Sequence, residues 1–261
     1  MSNNENSSGK SYSKLEDNGS SIGVEVIDLG VEGDTITGFA KLEVGVDTDD
    51  SGSDTFDSKL AYVGLDSNMG SLSVGRQSHP FTDNIGGKTS IFNVYGGGSD
   101  WNYGSRSSNS MKFSTTQSGL TLDTIGIVDG SSTNTNAFDE FEVTISTKLL
   151  GSDISVGYAD DVNSDISYWG VSGSTDLGSL TVSSSYTIYD AATDKYGLEA
   201  TASYSIFSVG YGDKEGTGVS YTAGVSHDLN ESVSVYAEGE MKDLDSGSDT
   251  TSWSIGSKFT F

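Results

Sequence analysis

Apolar and small polar side chains alternate one for one along most of this chain. Ser252–Phe261 shows the pattern most cleanly. Trp253, Ile255, Phe259 and Phe261 share one parity, while Ser254, Gly256, Lys258 and Thr260 share the other. In a strand a parity is a face, so the segment has one oily side and one wet side. Two environments can cover the oily side. One is a second sheet, as in a soluble sandwich. The other is lipid, as in a membrane-spanning barrel.

The rhythm recurs from Ser21 onward, interrupted by turns rich in Gly, Asp and Ser. Ala40, Leu42, Val44 and Val46 oppose Lys41 and Glu43, and Phe141, Val143 and Ile145 oppose Glu142, Thr144 and Ser146. Val233, Val235 and Ala237 precede the terminal strand. About fifteen such strands are legible, most near the length that crosses a bilayer at a tilt. Tight connections such as Gly151–Asp153 alternate with longer acidic ones such as Asp190–Lys195, the asymmetry of outer-membrane barrels. Their polar faces are Ser, Thr, Gly and a few carboxylates, which suits a channel wall and not a sandwich interior. Tyr158, Tyr189, Tyr196, Tyr204 and Tyr211 fall at strand ends, as an interfacial girdle requires. The expectation is an all-β transmembrane antiparallel barrel over 21–261, preceded by a polar segment at 1–20. Single-chain bacterial barrels have even strand numbers. One strand should therefore be missing or disguised before Ser20, either as a weakly paired Lys10–Glu16 or as a first strand the chain lacks.

Composition narrows the choice further. Hydrophobic residues are 33%, thin for a soluble core, yet aromatics are 10%, which disordered segments lack. No run approaches the roughly 18 apolar residues of a membrane helix, which leaves a closed barrel as the way across. With no Cys, a disulfide framework and thiol chemistry are excluded. A net charge of −25 argues against a nucleic-acid partner. Export needs a signal peptide; Met1 opens a polar stretch, so that signal is expected to have been removed.

Ser78–Gly104 breaks the alternation, opening near Pro80 and carrying Gly96–Gly98. Loops of that length inside compact folds are usually functional. Before it stand Ala-Tyr-Val-Gly-Leu at Ala61–Leu65 and Gly-Ser-Leu-Ser-Val-Gly-Arg-Gln at Gly70–Gln77; after it comes Arg106–Phe113. With the aromatic terminus, these segments resemble the trimeric general porins of Gram-negative outer membranes. The resemblance implies a barrel of about sixteen strands, a homotrimer in the bacterial outer membrane, and Ser78–Gly104 folded into the lumen as a constriction. It implies outer-membrane lipid, lipopolysaccharide, ions and small hydrophilic solutes as partners, and Phe259 and Phe261 as the assembly signal. Asn93–Gly97 looks like the family's Pro-Glu-Phe-Gly-Gly, with Val94 where Glu is common. Ser21 and Glu25 stand where basic wall residues are common.

A constriction works through charge placed on opposite sides of the passage. The loop acids would be Asp83 and Asp100, with Tyr95 beside them. Wall cations would be Arg76, Arg106, Lys112, Lys59 and Lys41, with Glu43 inward by parity. Arg76 shares the parity of Leu72 and Val74, so an inward aim needs a bulge or the strand's end. Glu142, Glu199, Glu238 and Glu240 are expected on the lumen face, and Asp47, Asp49 and Asp50 form an acidic loop cluster that could hold Ca²⁺, although no calcium-loop pattern is present and solvated acids are favoured. His79 and His227 lack zinc spacing and read as incidental. There is no Gly-x-Ser-x-Gly elbow and no evident Ser-His pair; no enzyme and no other cofactor is expected. The function expected is passive diffusion of ions and small hydrophilic solutes with a cation preference. The alternatives are a substrate-specific channel, marked by an aromatic ladder from Tyr95, Trp101 and Tyr103, and an acidic adhesive β-protein without a pore.

Overall fold

The computed structural model describes residues 2–5, 11–31, 33, 35–49, 54–102, 104–128, 138–162 and 164–261. Seventeen strand segments form one antiparallel sheet. Two are short, β1 (Ser2–Glu5) and β2 (Ser11–Lys14). The full-length strands begin with β3 (Ser21–Leu29), β4 (Ile36–Val46), β5 (Phe56–Ser67) and β6 (Gly70–Ser78). After the long loop come β7 (Arg106–Gln117), β8 (Leu120–Ile127), β9 (Glu140–Leu149), β10 (Ser152–Asp161) and β11 (Ile166–Leu177). The last are β12 (Leu180–Asp190), β13 (Lys195–Tyr204), β14 (Phe207–Lys214), β15 (Gly218–Asn230), β16 (Val233–Leu244) and β17 (Thr250–Phe259). The loop holds one short helix, α1 (Pro80–Asn84), and a 3₁₀ turn at Gly86–Lys88.

Each strand from β3 to β17 pairs with its sequence neighbour, the low-cost topology for consecutive strands joined by short turns. Two short strands pair at the N-terminus: Asn3 pairs with Trp253 of β17, and Ser2–Glu5 pairs with Ser11–Lys14. The ladder thus runs from β3 to β17 and on through β1 to β2. Among the described residues β2 and β3 share no ladder pairing, so the sheet is not closed at that seam.

Burial is inverted relative to a soluble protein. The buried set is mostly Ser, Thr and Glu, whereas Val156, Trp169, Val171, Ile255, Phe259 and many other large apolar residues are exposed. Facing pairs keep the two sides distinct: Val156 lies opposite both Ile145 and Val171, and Tyr158 packs on Trp169 at 4.5 Å between ring centres. An apolar exterior around a polar interior is stable in lipid, where every backbone group is paired within the sheet. Tyr189 departs from the expected girdle. It turns inward and packs against Trp101 of the loop, 4.9 Å between ring centres. No helix among the described residues is long and apolar enough to cross a membrane.

Candidate functional site: the inward loop and its wall

One loop touches every strand from β7 to β16. Only the concave side of a curled sheet offers such a set of neighbours, so Ser78–Gly104 lies inside the barrel. Its root is His79, wholly buried at the N-cap of α1. His79 Nδ1 lies 2.6 Å from Glu142 Oε1 on β9, and Nε2 lies 2.8 Å from Ser107 Oγ on β7. The Phe81 amide donates to the other Glu142 oxygen at 3.0 Å. Asn84 donates to Asp123 and Thr144, while its carbonyl accepts from Ser172.

The rest of the loop is fastened by carboxylates that the wall presents to it. Glu199 accepts from Thr89 Oγ1 (2.6 Å) and the Ser99 amide (2.7 Å). Glu238 accepts the amides of Asn93 (2.7 Å), Val94 (2.8 Å) and Tyr95 (3.3 Å), and the Asn93 side chain as well. Glu240 accepts from Gly96 at 3.3 Å. A chain without regular structure has orphan amides, and burying them unpaired is costly. These acids supply the missing acceptors. Gly96, Gly97 and Gly98 all have positive φ, 69°, 74° and 81°, which bends the loop so that those amides converge on the wall.

Apolar contact completes the docking. Phe81, Ile85, Ala159 and Tyr168 form a buried cluster, with Trp101, Ile166 and Tyr189 packed on it. Glycines on the wall make room: a Cβ at Gly170 would sit 2.8 Å from Phe81, one at Gly157 2.9 Å from it, and one at Gly197 2.0 Å from the Ser99 carbonyl. Gly157 and Gly170 face each other across β10 and β11, forming a notch under the α1 side chains.

The expected site residues divide accordingly. Asp83 lies 3.7 Å from Lys112, a loop acid against a wall cation; burial holds its carboxyl above the usual range. Asp100 does not face open water. It is 5% exposed, accepts from Ser185 at 2.8 Å, and is pushed up to about 7 by burial and then by the charge of Glu199. Tyr95 is half-buried beside Glu238. Lys41 pairs with Glu25 at 3.5 Å, and Glu43 shares its parity on β4. Lys59 donates to the Gly19 carbonyl at 2.7 Å. Arg106 opens β7, exposed and opposite Ser78. Arg76 sits opposite Ala61, on the face of Val63, Leu65, Leu72 and Val74, and its guanidinium bonds Ser58 and Ser108. The pairing with β7 shifts register between Gly75 and Gln77, across Arg76 itself, yet Arg76 stays on that outer face and its neighbour Gln77 is the buried one. Phe259 and Phe261 are exposed at the terminus.

The acidic cluster serves local turns: Asp49 accepts the Asp17 amide at 2.7 Å and Asp47 the Asp49 amide at 3.0 Å, while Asp50 lies outside the described residues. Among the described residues no group of three or more His, Asp or Glu is placed to hold a metal. His79, incidental by spacing, is the pin of the loop root. Its partners are 28 and 63 residues away, and no local pattern marks them.

A polar-lined, apolar-coated barrel with a loop fastened inside is a passive outer-membrane channel. The chain belongs to the family described as Gram-negative porin, whose sequence profile matches residues 1–248. Solved structures agree in fold. Salmonella typhi OmpF, in complex with daunomycin, is 17% identical and aligns over 98% of this chain and 94% of its own, with a TM-score of 0.77. The trimer form of OmpT from Vibrio cholerae is 14% identical over 100% of this chain and 96% of its own, at 0.75. A mutant porin from Rh. blastica is 18% identical over 92% and 89%, at 0.64. No protein in the curated set matches by sequence.

Proposed function

We infer that the channel passes ions and small hydrophilic solutes by diffusion, with a preference for cations. The observation that carries this reading is the one-sided attachment of the loop. The loop is rooted at the start of β7 and packs along β8–β16, leaving the passage beside β3–β6 and the rest of β7. The charged groups there include Glu25, Lys41, Glu43, Asp83, Lys112 and Arg106. Lys41 and Lys112 each have an acid within 4 Å, at 3.5 and 3.7 Å, and Glu43 adds a further negative charge. Rings of fixed charge bias ion choice, and a net charge of −25 sets the same sign for the approach. Reversal potentials across a planar bilayer in a KCl gradient test this: the sign expected is that of cation flux, and anion selectivity would contradict it.

The aromatic ladder of a substrate-specific channel gains little support. Trp101 donates to the Tyr196 carbonyl at 3.0 Å and lies under Lys214, 4.3 Å from its ring centre, and Tyr103 lies outside the described residues. The OmpT trimer form favours a homotrimer here as well, with lipid and lipopolysaccharide meeting the apolar exterior. Heat-modifiable migration of the detergent-solubilised protein reports that assembly.

A further inference from the structure

Ser107, His79 and Glu142 form a chain of hydrogen bonds with more in it than anchoring requires. The Phe81 amide on Glu142 Oε2 already ties the loop root to β9. The imidazole adds chemistry. With the carboxylate as acceptor and the imidazole neutral, the 2.6 Å contact with Glu142 Oε1 assigns the ring proton to Nδ1. The Nε2 lone pair then faces the Ser107 hydroxyl at 2.8 Å. His79 is 0% and Glu142 2% exposed, so the ring is held in place by a carboxylate that is itself held. Ser107 is half-buried, at the end of β7 where the chain leaves the loop. A hydroxyl within reach of a base, and that base oriented by a buried acid, is the arrangement that activates a serine. Arg106, next in the chain, and Lys112 are the cations of this corner, and both act on Asp83 together with His79 and Glu142.

We propose that Ser107 is a nucleophilic serine, open to small electrophiles that enter the channel mouth, namely activated esters and fluorophosphonates. With an ester, Ser107 Oγ bonds to the carbonyl carbon and its proton passes to His79 Nε2. The carbon–alkoxide bond then breaks and the leaving alcohol takes that proton. Water releases the acyl group by the same route, giving slow hydrolysis. With a fluorophosphonate the Ser107 oxygen–phosphorus bond forms as the hydroxyl proton passes to His79 Nε2. The phosphorus–fluorine bond breaks, fluoride and that proton are released to water, and the adduct persists.

The test uses the folded, detergent-solubilised barrel and a fluorescent fluorophosphonate, with the adduct located by peptide mass spectrometry. One adduct on Ser107 is expected, absent in Ser107→Ala. Glu142→Gln and His79→Gln should each slow labelling at least about tenfold, with partial rescue in Glu142→Asp. Heat-modifiable migration establishes that each variant is folded. If His79→Gln does not fold, Glu142→Gln and Glu142→Asp decide. No adduct on the folded wild type, equal labelling of Ser108, or an unchanged rate in folded Glu142→Gln would overturn the proposal.

Discussion

The two sides of the barrel wall share one strand pattern and use it differently. Along β8–β16 the inward positions are buried acids, hydroxyls and glycines, and the loop takes them up. Glu142, Glu199 and Glu238 are each less than a tenth exposed there. Along β3–β5 the inward positions Glu25, Lys41 and Glu43 stay partly open; Lys41 and Glu25 pair with each other and, among the described residues, do not hydrogen-bond the loop. Alternation therefore decides which side chains face inward, but the loop decides which of them meet solute. An inward carboxylate is an anchor on one side and, on the reading proposed above, a selectivity element on the other.

The contrast can be broken most severely at Glu238. Glu238→Ala leaves three loop amides without their acceptor. It should cost about 3 kcal/mol of loop attachment and give larger, noisier single-channel currents in a planar bilayer; unchanged currents would mean that the loop is held by other means. Gly170→Val fills the notch under Phe81 and should cost about 1–3 kcal/mol through overpacking, read as a lower heat-dissociation temperature. The same change at Gly173, where the nearest neighbour of a Cβ is a carbonyl at 3.6 Å, should be mild.

Asp100 sharpens the comparison through pH. Its folded pKa of about 7 lies above the ordinary 3.8. The folded chain therefore keeps a proton the unfolded chain has lost, and stability falls as pH rises from about 4 to about 7. Asp100→Asn should remove that slope and stabilise the barrel at pH 8 by on the order of 2 kcal/mol, measured as heat-dissociation temperature against pH. The smallest effect belongs to the open side. Lys112→Gln uncovers Asp83 and should raise the cation-to-anion permeability ratio about twofold, the scale of a partly exposed ion pair. A shift toward anions would contradict the account of the passage.

Much of the fold was legible because strand parity is a local property. Trp253 and Ile255 face out and Glu238 and Glu240 face in, as their positions require. The loop was legible as an interruption of that rhythm. What sequence could not carry is partnership at a distance. Glu199 meets Ser99 across 100 residues and Glu238 meets Asn93 across 145, and nothing nearby marks either acid as an anchor. Asp100 looked like a constriction acid for the same reason: a loop carboxylate does not declare which wall it will be pressed against. Arg76 depended on where a bulge fell, and a shift of one residue reverses the face.

The attachment of the loop to the far wall is tested most directly by a covalent bridge. The chain has no Cys, so a pair can be introduced without competition. A Cβ built at Gly212 lies 3.1 Å from the Cβ of Ser99, close enough for a disulfide with slight adjustment. Ser99→Cys with Gly212→Cys should oxidise readily in the folded barrel, leave single-channel conductance near that of the parent, and raise the heat-dissociation temperature. A folded barrel in which this pair fails to cross-link, or conducts only once the bridge is reduced, would contradict a loop that rests against β14.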